Sequence, residues 1–173
     1  MKKISLILSL LAIIFCFASC DEKSKTPTIP TTDRPFSSNV KISYKDLSYL
    51  GFLTFRNSGS ATLEITEPKN LEGLIFNLSN GELTAKYEGL DFPLNTLDSR
   101  AKTAAGMIFS ALASAGTSGD AVLNQAKSEF SVSGQIYSRK YDMIFDYKSG
   151  AVKSFSVPEE RLSVSFENFS FLG

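Results

Sequence analysis

Alternating apolar and polar residues run through most of the chain after Phe36, and this pattern constrains the fold more than any other feature. A period of two places every second side chain on the same face of a strand, whereas a helix needs apolar steps of three and four. Tight-turn sequences separate the runs, and Asn80-Gly81 is typical of a hairpin turn in which both central residues have positive φ. Short strands joined by tight turns predict an antiparallel sheet. Four apolar sets each share one face: Leu63 and Ile65; Leu83, Ala85 and Tyr87; Tyr141, Met143, Phe145 and Tyr147; and Leu162, Val164 and Phe166.

Two of the predicted strands are apolar on both faces. The first has Tyr49, Leu53 and Phe55 on one face with Leu50 and Phe52 on the other, and the second has Leu74, Phe76 and Leu78 opposite Leu71 and Ile75. A single sheet with one face in water does not favour this pattern. We therefore expect that the second face is covered or that the sheet curls towards a barrel.

One segment in the middle of the chain has a helical period instead. Between Leu97 and Ala115 the apolar residues recur at steps of three and four, which predicts a helix at about 98–115, capped by Asp98 or Ser99 and closed by Gly116. Ser110 is the only polar residue in its second half, so the helix is expected to be buried rather than to lie on the surface.

The fold class that follows is mainly β (α+β): a curled antiparallel sheet, or incomplete β-barrel, with one apolar helix packed into its concave side. The segment Asp120 to Lys127 is expected to form a second, short helix. The closing strands are expected at about residues 130–136, 140–147, 151–157 and 162–171.

The first nineteen residues resemble the signal peptide of bacterial lipoproteins. Lys2 and Lys3 precede an apolar run of about a dozen residues, which is shorter than the roughly twenty that span a bilayer. The run ends in Phe17-Ala18-Ser19-Cys20, which resembles a lipobox with Phe17 where the family most often has Leu. The resemblance implies cleavage before Cys20, acylation of its sulfur and new amine, and lipid anchoring on the extracytoplasmic side of the cell membrane. The alternative is an ordinary secretory signal that is cleaved at another small residue.

Residues 20–35 are predicted to be the acylated cysteine followed by a disordered tether. From Asp21 to Pro35 the sequence is rich in Thr, Pro and charge, and Ile29 is its single aliphatic residue, so it buries too little apolar surface to fold. At about 3.3 Å per residue, the tether reaches at most about 50 Å. The rest of the chain, residues 36–173, has the length of one β-rich domain.

The composition excludes several classes of chemistry. The chain has no histidine, which removes the commonest general base and metal ligand, so Ser-His-Asp and Cys-His mechanisms are excluded. Cleavage before Cys20 lowers the basic residues from 18 to 16 against 18 acidic ones, and no basic patch favours nucleic acid. Cys16 is lost with the leader, so no disulfide forms within the mature chain. We expect no catalytic, metal or cofactor site, and no enzyme activity.

Three features together resemble the LolA/LolB-like family of periplasmic lipoprotein carriers and lipid-binding lipoproteins: hairpin strands, an apolar helix in mid-chain, and a final meander. The runs Pro68–Leu74 and Tyr87–Leu90 also look like those of small lipoproteins with this fold. The resemblance implies an incomplete barrel around an apolar cavity, with helices as its lid. No residue matches the arginine that the true carrier uses in its cavity, so lipid binding is the expectation rather than lipoprotein trafficking.

Two functional hypotheses follow for the domain, which we expect to be a monomer. In the first, it binds or carries a hydrophobic ligand, the acyl chain of a lipid or lipoprotein, in an apolar cavity. In the second, it is a tethered structural or interaction domain with a filled core and no ligand. The sequence does not determine which face of the two strands that are apolar on both faces points inward. The candidates for the cavity lining are Leu50, Phe52, Leu74, Phe76, Leu78, Met107, Ile108, Phe109 and Leu112.

Overall fold

The computed structural model describes residues 34–115 and 120–173. The predicted signal peptide, Cys20, nearly all of the tether and Gly116 lie outside the described residues. Three short 3-10 turns accompany the regular elements, at Lys69–Leu71, Gln125–Lys127 and Pro158–Glu160. The strands and helices are β1 (Phe36–Tyr44), β2 (Leu47–Asn57), β3 (Ser60–Glu67), β4 (Ile75–Ser79), β5 (Glu82–Tyr87), β6 (Leu90–Pro93), α1 (Leu97–Ala101), α2 (Ala104–Ser114), β7 (Asp120–Asn124), β8 (Glu129–Ile136), β9 (Arg139–Asp146), β10 (Val152–Val157) and β11 (Leu162–Phe171).

The strands form one antiparallel sheet in the order β6-β5-β4-β3-β2-β1-β11-β10-β9-β8-β7. Two meanders therefore meet in the middle of the sheet, where β1 pairs with β11 from Phe36 opposite Phe171 to Tyr44 opposite Leu162. The sheet curls without closing, so β6 and β7 are its edges, and α1 and α2 lie between these two strands in the chain. The predicted fold class, an incomplete barrel with a helix, is confirmed.

Local sequence signals explain most of the sheet. Asn80 and Gly81 have φ values of 50° and 80° and join β4 to β5, as expected for the hairpin turn. The predicted alternation is also confirmed, because Leu63 and Ile65 of β3 are buried on the concave face. The four predicted closing strands correspond to β8, β9, β10 and β11 within about one residue at each end.

The helix α2 packs into the concavity, as predicted. Its apolar residues form one core cluster with the inward side chains of the strands, and β8 is a main neighbour of the helix. The helix is covered by protein on nearly every side. This burial explains why Ser110 is its only polar residue before the last turn. Its fully buried large side chains are Met107, Ile108, Phe109 and Leu112.

The predicted single helix at 98–115 is wrong in one respect, since it is divided into α1 and α2. Thr103 caps α2, with its hydroxyl oxygen accepting a hydrogen bond of 3.1 Å from the Gly106 N–H. Thr96, rather than Asp98 or Ser99, caps α1 and accepts a 3.0 Å hydrogen bond from the Ser99 N–H. A threonine hydroxyl that satisfies the free N–H groups of a helix start competes with continuing the helix through that position.

The expected short helix at 120–127 is also wrong. The segment forms the edge strand β7, which pairs with β8 from Asp120 opposite Ser133 to Asn124 opposite Glu129, followed by a 3-10 turn. Pairing with a neighbouring strand satisfies the backbone groups of so short a segment, whereas an isolated helix of this length is marginal in water.

Candidate functional site

An apolar pocket of about 220 Å³ lies between the concave face of β1 to β4 and the start of α2. Its floor is made by Ile42, Leu63, Ile65 and Ala105, which are buried. Its walls are half-buried, so the pocket opens to solvent, and Lys102, Thr103 and Ala104 complete the rim. The half-buried wall residues are Tyr44, Tyr49, Leu71, Leu74 and Phe76.

The division of the helix explains why this space is empty. Ala104 and Ala105 begin α2, and side chains this small leave room between the helix end and the sheet. A side chain at Gly106 is excluded, because its Cβ would lie 2.3 Å from the carbonyl oxygen of Arg100 in α1. The Arg100 guanidinium in turn donates to the carbonyl of Gly81 in the β4–β5 turn, which fixes α1 to the sheet.

The apolar surface continues from the pocket to the edge strand β6. Phe76 lies opposite Ala85, Ala85 lies opposite Phe92, and Tyr87 lies opposite Leu90. Directly opposed residues of an antiparallel pair share a face, so Phe92 and Leu90 are on the concave face with the pocket residues. Phe92 is 47% and Leu90 is 62% exposed, so no helix among the described residues covers them.

Seven of the nine predicted cavity residues lie on α2 or on the concave side of the sheet, in three groups. Leu74 and Phe76 line the pocket together. Leu78 and Phe109 line a smaller cavity of about 110 Å³ on another side of α2. Met107, Ile108 and Leu112 lie in the filled core, where each is at most 1% exposed.

Leu50 and Phe52 require a correction, because they lie outside the concavity. Their side chains are 38% and 43% exposed, and they line a groove on the other face of the sheet. On β2 the larger inward residues are Leu53 and Phe55, both buried beneath the helix side of the sheet. Alternation then forces Leu50 and Phe52 outward, so an apolar second face is exposed rather than covered.

Several pocket residues are absent from the predicted set. Ile42 and Tyr44 alternate with Lys41 and Ser43 along β1, a signal that marks a half-buried strand. Leu71 was assigned to the face opposite Leu74, but it lies in the 3-10 turn Lys69–Leu71, where alternation does not apply, and it lines the same pocket. The rim at Lys102 to Ala104 depends on the break between α1 and α2, which the apolar period does not reveal.

Polar groups are concentrated at the rim formed by the α1–α2 junction. The Tyr44 hydroxyl donates a 3.0 Å hydrogen bond to the carbonyl oxygen of Lys102, and the Lys45 ammonium lies 4.9 Å from the centre of the Tyr44 ring. Lys102 pairs with Asp98 at 2.8 Å. The pKa of Lys45 is raised above its ordinary value of 10.5, first by Tyr44 and then by Glu160, so this amine stays charged at neutral pH.

Within residues 34–115 and 120–173, no three His, Cys, Asp or Glu side chains are grouped so that they could hold a metal ion. In the same part of the chain, no helix has both the length and the apolar character needed to cross a bilayer.

No protein-family model and no curated protein matches the chain. Among solved structures, an uncharacterized conserved protein from Thermus thermophilus is similar, with a TM-score of 0.51 and 10% identity over 82% of this chain and 80% of that chain. A LolA superfamily protein from Nitrosomonas europaea has a TM-score of 0.45 and 12% identity over 87% of this chain and 91% of that chain. A chain in the complex of the CwlD amidase with the GerS lipoprotein from Clostridioides difficile has a TM-score of 0.47 and 12% identity over 82% of this chain and 89% of that chain. The similarity to the Thermus protein shows a shared fold alone.

Proposed function

We propose that this protein is a membrane-anchored extracytoplasmic lipoprotein whose domain binds a single acyl chain in the pocket beside α2. The observation that carries the proposal is the open pocket of about 220 Å³ with an apolar floor and walls. Small-molecule sites are typically concave and mostly apolar, with a few polar groups that fix the orientation of the ligand. Here the polar groups are confined to the rim near Lys102 and Thr103.

The size of the pocket limits the ligand. An apolar cavity of about 150 Å³ is large enough to take up benzene. At about 30 Å³ for each water-sized group, a pocket of about 220 Å³ holds roughly seven such groups, about half of a myristoyl-length chain. The remainder of the chain would lie along the exposed apolar surface of Phe92 and Leu90, which continues from the pocket. A lipid with two chains exceeds this space.

The filled-core hypothesis is favoured by a specific observation, and it is the second candidate. Beneath the middle of α2 there is no room for a ligand, because Met107, Ile108 and Leu112 are fully buried in the core cluster. A ligand therefore binds beside the start of the helix and does not replace its underside. If the pocket takes up no acyl chain, the domain is a tethered structural or interaction module.

The decisive experiment fills the pocket from the helix. Ala104 and Ala113 are both half-buried on α2, and nine residues at 3.6 per turn place them on opposite faces. Ala104→Phe should occupy the pocket and lower the affinity for dodecanoate at least ten-fold in a fluorescent fatty-acid displacement assay. Ala113→Phe, which faces the smaller cavity, should bind as the parent does. Both are made in the full chain carrying Cys20→Ser, so that no acyl chain of its own competes.

Two results would contradict acyl-chain binding. Dodecanoate could fail to bind the parent at any concentration below its micelle threshold, or Ala104→Phe could bind it as tightly as Ala113→Phe while both melt at the parent's temperature. Native mass spectrometry of the unmodified protein from membranes, which reports a co-purifying lipid by mass, gives an independent readout.

The membrane anchor is tested separately. Two or three acyl chains on Cys20 would give stable attachment, whereas one chain binds membranes only marginally. Cys20→Ser should release the protein or leave it as unprocessed precursor, as seen by membrane fractionation and by the mass of the N-terminal peptide. A variant that is still processed and membrane-bound would instead support the ordinary secretory signal.

A further inference from the structure

The rim of the pocket carries positive charge on one side. Lys102 belongs to the rim itself, and Lys45 lies against the ring of Tyr44, a wall residue. The hydrogen bond from the Tyr44 hydroxyl to the Lys102 carbonyl holds the β1–β2 turn and the α1–α2 junction together at this point. Two ammonium groups are therefore placed beside the opening by two different parts of the fold.

Lys45 has a carboxylate partner at longer range than the two arginines near it. Glu160 already receives a 2.5 Å bond from the Arg139 Nε, while its distance to the Lys45 Nζ is 3.7 Å. Arg161 is bound to Asp46 at 2.6 Å. Each arginine thus has a close carboxylate, and Lys45 shares one at longer range.

Lys102 is paired differently. Its carboxylate partner Asp98 lies one turn earlier in the chain at 2.8 Å, and both side chains are well exposed. An exposed ion pair of this kind contributes little to stability. The anionic group of a ligand in the pocket can therefore compete with Asp98 for the Lys102 ammonium group.

We propose that the ligand is a single-chain amphiphile with an anionic head group, held at the rim by Lys102 and Lys45 while its tail fills the pocket. The inference rests on the proposed function and adds the chemistry of the head group. Lysine acts as a point charge towards either a carboxylate or a phosphate, so these two head groups share the recognition described here.

The test compares four ligands with the same twelve-carbon tail on the full chain carrying Cys20→Ser: dodecanoate, dodecyl phosphate, dodecanol and dodecyltrimethylammonium. Dodecanoate, dodecyl phosphate or both should bind about five-fold or more tightly than dodecanol, and the difference should shrink as salt screens the rim. The arm with the larger gain identifies the head group as a carboxylate or a phosphate.

Charge variants locate the effect. Lys102→Gln and Lys45→Gln should each weaken binding of the anionic ligand by about two- to five-fold, the ceiling for an exposed ion pair, and leave dodecanol unaffected. Asp98→Asn removes the competing carboxylate and should strengthen anion binding by about two-fold. Lys86→Gln is the control, because Lys86 is exposed and alternates with inward Ala85, which places it on the other face of the same strands.

The outcomes separate the two proposals. If all four ligands bind equally, or the cationic ligand binds best, the anionic head group is wrong and acyl-chain binding stands. If Lys102→Gln and Lys45→Gln bind the anionic ligands as tightly as Lys86→Gln does, the placement of the head group at the rim is wrong. If none of the four binds the parent, the proposed function itself fails.

Discussion

The two halves of the sheet have the same alternating sequence but very different interiors. In the half formed by β7 to β11, called here the closed half, the inward residues Tyr141, Met143 and Phe155 are each at most 1% exposed beneath α2. In the half formed by β1 to β6, the open half, Phe76 is half-buried and Phe92 is largely exposed on the same concave face. The position of the helix, rather than the strand sequence, decides which part of the concave face is core and which part is available to a ligand.

Side-chain size reinforces the difference. In the closed half, Tyr141 and Phe155 fill part of the interior, with their ring centres 6.0 Å apart and each side chain at most 1% exposed. At the open half, α2 begins with two alanines and a glycine. The large residues of the closed half pack against the helix. The small residues at the start of α2 leave a pocket on the side of the open half.

The largest expected effect comes from the same substitution at a core position of α2 and at a pocket wall of the open half. Leu112→Ala removes a fully buried side chain of the core and should lower the free energy of unfolding by about 2–5 kcal/mol. Leu74→Ala only enlarges a pocket that is already open, and should cost less than about 1.5 kcal/mol. Chemical denaturation measures both. If the two variants lost equal free energies of unfolding, the pocket wall would be packed as tightly as the core, and the contrast drawn here would be wrong.

The next effect tests how tightly the closed half is filled. A Cβ at Gly134 would lie 2.7 Å from the ring of Tyr141, which is fully buried and has nowhere to move. Gly134→Ala should therefore lower the free energy of unfolding by about 1–3 kcal/mol. Gly59→Ala in the open half is the control, because its nearest neighbour would be 3.5 Å away. If Gly134→Ala and Gly59→Ala had the same melting temperature, the space between Gly134 and Tyr141 would not be tightly filled.

A smaller effect of opposite sign is expected at Tyr141. Its hydroxyl is buried with no hydrogen-bond partner among the described residues, so Tyr141→Phe should stabilise the fold by up to about 1 kcal/mol. Tyr44→Phe, which loses the bond to the Lys102 carbonyl at the open half, should instead cost about 0.5–1.5 kcal/mol. A loss on Tyr141→Phe would reveal an unrecognised partner.

The same tyrosine sets an alkaline limit on stability. Burial raises the pKa of Tyr141 above its ordinary value of 10.0, because the ionised phenol is disfavoured in the folded state. The contribution of Tyr141 to the stability is fully present below pH 10.0. It is lost as the pH rises above that value, because the tyrosine of the unfolded chain loses its proton first. Tyr141→Phe should remove this part of the alkaline loss in pH-dependent denaturation.

The smallest effect concerns the β9–β10 turn of the closed half. One carboxylate oxygen of Asp146 accepts hydrogen bonds from the Ser149 N–H at 2.8 Å, the Ser149 hydroxyl at 2.7 Å and the Lys148 N–H at 3.1 Å. These bonds, those of Ser149 first, lower the pKa of Asp146 below 3.8. The stability it contributes is present above pH 3.8 and is lost as the pH falls below that value.

Asp146→Asn should cost about 0.5 kcal/mol at pH 7, because this turn is near the surface. It should also make unfolding less dependent on pH in the acid range. Asp91→Asn on the exposed edge strand β6 provides the comparison in the open half. Indistinguishable acid profiles for the two variants would exclude a role for the turn.

Most of the strands could be predicted because their signals are local. Alternation in β3 and β9 and the turn at Asn80-Gly81 are set by neighbouring residues, and these predictions are confirmed. The inward face of β2 could not be predicted, since both faces are apolar and the choice depends on which face meets the helix.

The pocket itself depends on long-range structure. Thr103 is tolerated inside many helices, and only its position at the end of α1, with Gly106 against the Arg100 carbonyl, makes it a cap. Phe92 and Leu90 occur in an alternating run like those of the core, and they are exposed because β6 is an edge strand. A pattern of apolar residues predicts a face but not whether another element covers it.

The central pairing of β1 with β11 also sets the order in which the molecule can be assembled. The backbone N–H of Leu172 donates to the carbonyl of Pro35 at 2.8 Å, so the two ends of the domain meet at one seam. During synthesis, β1 is made before the other strands of the sheet and its partner β11 is made after them. The first meander therefore presents an unpaired strand edge until β11 has been made, which favours slow folding. The pocket wall at Ile42 and Tyr44 belongs to this same strand, so pairing with β11 also fixes one wall of the pocket.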